Sequence, residues 1–197
     1  MPSSPRPLLP QGPYLVVGLA RSGAAAALAL RALGQDVIGV DSGSPAEVGR
    51  LRDAGVEVHL DVTGEGLLDR ARTLVKSPGV RPSAPVVAAA RARGVAVMGE
   101  LELAWRLLPV PFLAVTGTNG KTTTTELIAH VHRKAGRPVS VAGNIGTALS
   151  SLAGDIAKDT TIVCEASSFQ LESTLEFAPD AAVLLNLGAD HLDWHGS

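Results

Sequence analysis

A short polar loop in the middle of the chain has the residues needed to bind phosphate. The stretch TGTNGKT, residues 116–122, follows an apolar run and precedes a helix-like pattern. It is a shortened form of the G-x-x-x-x-G-K-[ST] loop, with Val115 where that motif has its first glycine. Backbone N–H groups of such a turn, and the positive end of the following helix, attract phosphate. The sequence therefore predicts a nucleoside triphosphate site here.

Individual residues of this loop have separate predicted roles. Lys121 would contact the β- and γ-phosphates, and the Thr122 hydroxyl would bind Mg²⁺. Thr123 would lie against the phosphates, whereas Thr124 and Thr125 would bond back to the helix or pack on the sheet. The alternative is an ordinary turn with a solvated lysine. The predicted ATP-binding residues are Gly117, Thr118, Asn119, Gly120, Lys121, Thr122 and Thr123.

Side chains at two predicted strand ends could complete a magnesium site. Mg²⁺ keeps several waters and needs only one or two protein carboxylates. Glu165 follows the run TIVC, and Asp190 or His191 follows VLLNLGA. Open α/β sheets gather ligands at the carboxyl ends of their strands, although Glu165 could also be a solvated acid. His191 and His195 could share a helical face, but they lack the third ligand that zinc requires.

A second glycine turn lies near the N-terminus. GLARSG, residues 18–23, is a G-x-A-x-x-G variant of the dinucleotide-binding motif. Asp41 ends the following strand, where a ribose-binding carboxylate would lie. The pattern predicts nucleotide-type binding. NAD is one possible ligand, and a tight turn without any ligand is the alternative.

The two glycine turns belong to the same kind of unit, which occurs twice in the chain. Each unit has a short apolar strand, a turn, a helix, a closing glycine (Gly34 or Gly136) and another strand. Glycine just past a helix favours a left-handed C-cap. Further strands are predicted at 56–60, 73–76, 95–98, 138–142, 161–166 and 181–187, with helices at 86–94 and 100–108. This alternation predicts an α/β fold with parallel sheets.

Pro109 and Pro111 predict a boundary between two domains. We expect a flexible tail over 1–11 and a Rossmann-like domain with a five-stranded, doubly wound sheet over 12–108. Residues 109–197 would form a truncated P-loop-type parallel α/β domain, because they stop after a strand and a polar turn. An apolar sheet edge should then remain open.

Composition narrows the possible partners. The chain of 197 residues is 46% apolar and 18% charged, with a net charge of −2, so nucleic acid is not an expected partner. The single cysteine, Cys164, lies in an apolar run and is expected to be a buried thiol. Neither a signal peptide nor a stretch of ~18 apolar residues is present. We expect a soluble, cytoplasmic protein without membrane contact.

Four strings resemble the Mur ligases of bacterial peptidoglycan synthesis: TGTNGKTTT, GNIG (143–146), EASSFQLE (165–172) and DHLDWH (190–195). The string SSFQLE resembles the corresponding string of those family members that add D-glutamate to UDP-N-acetylmuramoyl-L-alanine. GLARSG, Ser77-Pro78-Gly79 and GELEL (99–103) add to the resemblance. It implies an ATP-dependent ligase that uses Mg²⁺ and forms a peptide bond through an acyl phosphate.

The resemblance also assigns residues. It gives the first glycine turn to UDP instead of NAD, and it implies Glu165 and His191 as magnesium ligands beside Thr122. The implied catalytic residues are Lys121, Glu165 and His191. The implied UDP-substrate contacts are Arg21, Ser22, Asp41, Ser77, Pro78 and Gly79, with Asn144 and Gln170 near the muramoyl-alanine end. Trp194 stands where relatives often carry a basic residue.

The family has three domains, and its C-terminal domain binds D-glutamate. We therefore expect this chain to lack that domain and to be inactive alone, and the complete enzyme to be a monomer. One alternative is a non-catalytic UDP-sugar or nucleotide-binding module. Another is a sibling ligase that adds L-alanine, or a folylpolyglutamate synthetase, although SSFQLE disfavours both.

Overall fold

The computed structural model describes residues 5–196. Its first sheet contains five parallel strands, in the spatial order β3-β2-β1-β4-β5. The chain order reverses beside β1, as in a doubly wound sheet, which confirms the predicted architecture. The strands are β1 (Tyr14–Val17), β2 (Val37–Asp41), β3 (Glu57–Leu60), β4 (Thr73–Lys76) and β5 (Ala96–Gly99).

Helices cover both faces of this sheet. Tyr14 and Val16 of β1 belong to one buried cluster, whereas Leu15 and Val17 belong to another. Alternate residues of one strand point to opposite faces, so a strand buried on both faces reads as a continuous apolar run. The helices are α1 (Arg21–Ala32), α2 (Val48–Asp53), α3 (Pro85–Ala92) and α4 (Glu100–Leu107), with a short 3₁₀ helix at Glu65–Arg70.

The second sheet contains four parallel strands in the order β7-β8-β6-β9. β9 is an edge strand whose Leu184 side chain is 60% exposed, so the sheet has the apolar edge that the sequence predicted. The strands are β6 (Phe112–Thr116), β7 (Val139–Gly143), β8 (Thr161–Glu165) and β9 (Ala181–Leu184). The helices are α5 (Lys121–Lys134), α6 (Ser168–Leu171) and α7 (Leu192–His195), with a 3₁₀ helix at Leu149–Leu152.

Two buried acids of α4 bind backbone groups that flank the second sheet. Glu100 Oε1 accepts a hydrogen bond from the Ser150 N–H at 2.8 Å. Glu102 Oε2 accepts three, from the N–H groups of residues 175–177 at 2.9–3.1 Å. Arg106 Nε donates to Glu102 Oε1 at 2.7 Å. Burial raises the pKa of Glu100, and the Ser150 bond opposes that shift. The helix thereby connects the two sheets.

Residues 5–11, which we expected to be part of a flexible tail, make specific contacts instead. Arg6 Nη2 donates to the Val110 carbonyl at 2.9 Å and lies 3.6 Å from Asp180 Oδ2. Its guanidinium stacks on Trp105, 4.5 Å from the ring centroid. The cation finds a carboxylate and an aromatic face, neither of which is apparent from the local sequence. Residues 1–4 lie outside the described part of the chain.

The burial of the single thiol and the composition of the helices can be compared with the sequence predictions. Cys164 is fully buried in β8, as predicted, and burial raises its pKa. Within residues 5–196, no helix combines the length and the apolar composition needed to cross a membrane.

Candidate functional site

Residues 117–120 form the loop that joins β6 to α5, as its sequence predicted, and we call it the phosphate-type loop. Gly117 has φ 137° and Gly120 has φ 86°, values in the region that favours glycine. A Cβ on Gly117 would come within 3.1 Å of the Asn186 backbone. The glycines therefore allow a left-handed turn that ends directly at the helix N-terminus.

A second segment, residues 186–188, holds this loop in place. Asn186 Oδ1 accepts from the Asn119 N–H at 2.9 Å, and Asn186 Nδ2 donates to the Asn119 carbonyl at 2.9 Å. The Gly188 N–H donates to Thr118 Oγ1 at 2.9 Å. Sequence reasoning missed Asn186 as a positioning residue, and its only signal was a polar residue inside the apolar run 181–187. Because residues 186–188 bond to the loop, β9 ends at Leu184 and not at residue 187, where the predicted strand ended.

Lys121 folds back over the loop. Its Nζ donates to the Gly117 carbonyl at 2.7 Å and to the Thr118 carbonyl at 2.9 Å. Thr122 and Thr123 are exposed at the first turn of α5, whereas Thr125 is buried and its hydroxyl has no hydrogen-bond partner within residues 5–196. Within the run 122–125, the two threonines with predicted ligand roles are therefore the exposed ones.

A cleft of about 450 Å³ opens beside the loop. His191, in the left-handed region at φ 50°, packs edge-on against Phe169 with ring centroids 5.1 Å apart. Ser168 Oγ and His195 Nε2 are 2.9 Å apart at the same cleft. Its polar lining includes Thr116, Thr118, Lys121, Ser167, Ser168, Asp190, His191 and His195. The structure thus brings Lys121 and His191 to one cleft.

Glu165 is not part of the cleft lining; it lies at the carboxyl end of β8, beside Val115 in the strand register. Its side chain is 2% exposed, and its Oε1 accepts from Asn144 Nδ2 at 3.3 Å. Its Oε2 is buried without any partner among the described residues. An unpartnered buried carboxylate oxygen costs free energy unless a cation or donor reaches it. Glu165 is therefore not the solvated acid of the alternative prediction.

No protein cage for a metal surrounds Glu165 in residues 5–196. There, no three His, Cys, Asp or Glu side chains cluster closely enough to hold an ion. Mg²⁺ does not need such a cage, because water and phosphate oxygens usually complete its shell. The orphaned Glu165 oxygen fits that kind of ion.

The first glycine turn also faces a cavity, of about 370 Å³. Asp41, Ser77 and Gly79 line it together with Gly18 and Ala20. Asp41 already uses both oxygens, because Oδ2 accepts from the Leu19 N–H at 2.6 Å and Oδ1 from the Gly43 N–H at 2.8 Å. In this structure the Asp41 carboxylate therefore holds the glycine turn in shape.

The other predicted substrate contacts are spread over the fold. Arg21 lines a different crevice, between α1 and residues 147–153. Ser22 and Pro78 are both half-buried. Each is close in sequence to residues that line the first cavity, but neither belongs to that lining. Asn144 contacts Glu165, as described above. Gln170 is buried, and its Oε1 accepts from the Ser167 N–H at 3.0 Å to cap α6, so its position gives the predicted substrate contact no support.

Comparison with known proteins places both halves of the chain in one family. The model of the Mur ligase MurD-like N-terminal domain matches residues 13–99, and that of the Mur ligase middle domain matches residues 115–197. The UDP-N-acetylmuramoylalanine–D-glutamate ligase of Frankia casuarinae is 48% identical over 93% of this chain and 40% of its own length. The ligase of the same name from Shouchella clausii is 42% identical over 93% of this chain and 41% of its own length.

Two solved structures share the fold. One is the Neisseria meningitides UDP-N-acetylmuramate:L-alanyl-γ-D-glutamyl-meso-diaminopimelate ligase, with a TM-score of 0.58 and 23% identity over 92% of this chain and 62% of that one. The other is the Thermotoga maritima UDP-N-acetylmuramate–alanine ligase, with a TM-score of 0.55 and 24% identity over 95% of this chain and 44% of that one.

The chain spans about two fifths of the length of the curated relatives it matches. Within that span the two domain models follow one another in the order of the two sheets described above. The chain belongs to the Mur ligase family, of which it carries a MurD-like N-terminal domain followed by a middle domain.

Proposed function

We propose that the protein carrying this chain is a cytoplasmic ligase that uses ATP and Mg²⁺ to join D-glutamate to UDP-N-acetylmuramoyl-L-alanine. In this proposal residues 12–108 bind the UDP part of the substrate and residues 109–197 bind ATP. The observation that carries it is the glycine loop before α5 together with the buried, unpartnered Oε2 of Glu165, whose strand β8 pairs with β6 up to the residue before Thr116. The names of the two relatives described above support the choice of D-glutamate.

The loop and α5 would bind the phosphates of ATP. The N–H groups of the first helical turn, which have no intrahelical acceptor, and the positive helix end favour a polyanion, and α5 is 14 residues long. Lys121 would exchange its two carbonyl partners for phosphate oxygens. The mutual bonds of Asn186 and Asn119 would keep the loop in its binding shape before ATP arrives, which lowers the cost of ordering it.

Glu165 would hold Mg²⁺ through its unpartnered oxygen, with Thr122 and His191 as further proposed ligands. When bound, the ion supplies positive charge that offsets the charge on the phosphates. Asn144 would fix the carboxylate, since its Nδ2 bonds Oε1 and leaves Oε2 free.

The chemistry requires two anions to meet. The alanine carboxylate of the UDP substrate attacks the γ-phosphorus of ATP, and the bond to the leaving ADP breaks. The amine of D-glutamate then attacks the resulting acyl carbon, loses a proton and displaces phosphate. Lys121 and the N–H groups at the start of α5 would stabilise the charge on the transferred phosphoryl group in a site with little water.

The first cavity would bind the UDP part. Ser77 and Gly79 present a turn at the end of β4, opposite the glycine turn that Asp41 holds. Because the Asp41 oxygens already accept two backbone bonds, we assign Asp41 to shaping the cavity more than to direct ribose binding.

Turnover by the complete protein tests the proposal. Phosphate release should require UDP-N-acetylmuramoyl-L-alanine, D-glutamate and Mg-ATP together. Lys121→Ala should reduce that turnover at least about a hundredfold, because a charged transition-state contact is lost. Lys158→Ala, at an exposed lysine outside both cavities, is the matched control and should keep wild-type turnover. Equal turnover by the wild type and Lys121→Ala would contradict the proposal.

A further inference from the structure

Trp194 of α7 lies between the two halves of the molecule. On one side it meets two cations, one at the end of β4 and one after it: Lys76 Nζ is 5.7 Å and the Arg81 guanidinium carbon 5.6 Å from the ring centroid. Arg81 Nη2 also lies 3.6 Å from Asp193 Oδ2. Both cations belong to the half of the chain that contains the first cavity. The aromatic ring thus bridges the turn after β4 and the segment that follows β9.

The other side of Trp194 leads to the cleft beside α5. Its Nε1 donates to Glu172 Oε2 at 2.9 Å, which fixes the ring orientation. Its ring packs against Phe169, with centroids 5.5 Å apart and planes tilted by 48°. Phe169 in turn packs edge-on against His191, which lines the cleft. We call Lys76, Arg81, Phe169, Glu172 and Trp194 the Trp194 clamp.

The Lys76 end of the clamp is unusual because its cation is buried. The side chain is 1% exposed and donates to the Val80 carbonyl at 2.9 Å. Burial lowers the pKa of Lys76 to about 8, so the ammonium form still predominates at neutral pH. A desolvated cation interacts with an aromatic face more strongly than an exposed one. Lys76 also immediately precedes Ser77, which lines the first cavity.

We propose that Trp194 is a positioning residue that couples the first cavity to the cleft beside α5, so that ligand binding at one favours binding at the other. The inference rests on the proposed function, in which these sites bind UDP and the adenine nucleotide. Contacts run without a gap from Ser77 through Lys76, Trp194 and Phe169 to His191. A ligand that stabilises the clamp from one cavity therefore raises the affinity of the other cavity for its own ligand. The two ligands must raise each other's affinity by the same factor.

Calorimetry with two defined probes, UDP and Mg-ADP, tests the coupling. Mg-ADP is titrated into the protein with and without saturating UDP, and the ratio of the two affinities is the coupling factor. We expect a factor of at least about five for the wild type. In Trp194→Ala it should fall below about two, while each ligand alone binds within about threefold of wild type. Leu127→Ala, which truncates an exposed apolar side chain on α5, should keep the wild-type factor.

A conservative variant and the reciprocal titration make the test specific. Trp194→Phe keeps an aromatic ring between the cations and Phe169, so it should retain more of the coupling than Trp194→Ala. An undiminished factor in Trp194→Ala, or a wild-type factor near one with both ligands bound, overturns the inference and leaves the proposed function intact. Failure of the wild type to bind either probe overturns the proposed function and the coupling with it.

Discussion

Lys76 and Glu165 are both buried ionisable side chains, and each is the last residue of a parallel strand. Lys76 ends β4 and donates to one carbonyl, whereas Glu165 ends β8 and has an unpartnered oxygen. Glu102 is equally buried but is satisfied by three N–H groups and Arg106. Buried charged groups at strand ends that lack a full set of hydrogen-bond partners are the ones we expect to contact ligands or neighbouring segments.

The buried Lys76 predicts a distinctive dependence of stability on pH. Burial lowers its pKa from 10.5 to about 8, so between these values the unfolded chain binds more protons than the folded one. The wild type should therefore gain stability relative to Lys76→Met by about 2 kcal/mol between pH 7 and pH 10. Urea unfolding of both proteins at the two pH values measures this difference.

The matched control for that experiment is Lys158→Met. Lys158 is exposed, so its loss should shift stability equally at the two pH values. A stability difference between the wild type and Lys76→Met that stays constant from pH 7 to pH 10 would mean that Lys76 is not desolvated in solution.

At the scale of elements, the start of α1 depends on the absence of a side chain at Gly23. A Cβ there would lie 1.7 Å from the Gly18 carbonyl oxygen, far inside contact distance. The last glycine of the dinucleotide-type motif serves this close packing of helix on strand. The turn that shapes the first cavity therefore needs Gly23 whether or not a ligand is bound.

Gly23→Ala should consequently destabilise the fold by at least about 3 kcal/mol or prevent folding, because backbone atoms would have to move apart. Gly49→Ala, in α2, provides a comparison at another helical glycine. Nothing lies within 4 Å of a Cβ at Gly49, so this change should leave stability within about 1 kcal/mol, on the stabilising side. Urea unfolding midpoints measure both effects. A Gly23→Ala protein as stable as Gly49→Ala would refute the packing argument.

The elements themselves were largely predictable from local patterns. The apolar run Thr73–Lys76 forms β4 with the predicted bounds, and the glycine-lysine loop lies between a strand and a helix as its motif requires. Contacts between distant segments were not predictable, because no local pattern encodes them. An example is the pair of Asn186 bonds to the phosphate-type loop. The Gln170 cap of α6 is different, because it is a local S-x-x-Q capping box that the resemblance-based assignment of Gln170 to substrate passed over. The ligand roles of the site residues stay predictions.

At the scale of the whole molecule, α4 and the Trp194 clamp connect the two sheets at different places. Glu100 and Glu102 of α4 accept hydrogen bonds from backbone N–H groups that flank the second sheet. In the Trp194 clamp, Lys76 and Arg81 of the first half contact the Trp194 ring. The two cavities nevertheless have separate linings, without a shared residue. We therefore assign one ligand to each cavity, and a substitution that abolishes binding at one cavity should leave direct binding at the other intact.

The most direct test of this division is calorimetry of Lys121→Ala with UDP and Mg-ADP, each titrated alone. We expect Mg-ADP affinity to fall at least about tenfold, because the lysine contact with phosphate is lost, while UDP affinity stays within about twofold of wild type. Loss of UDP binding in this variant, or Mg-ADP binding as tight as in the wild type, would contradict it.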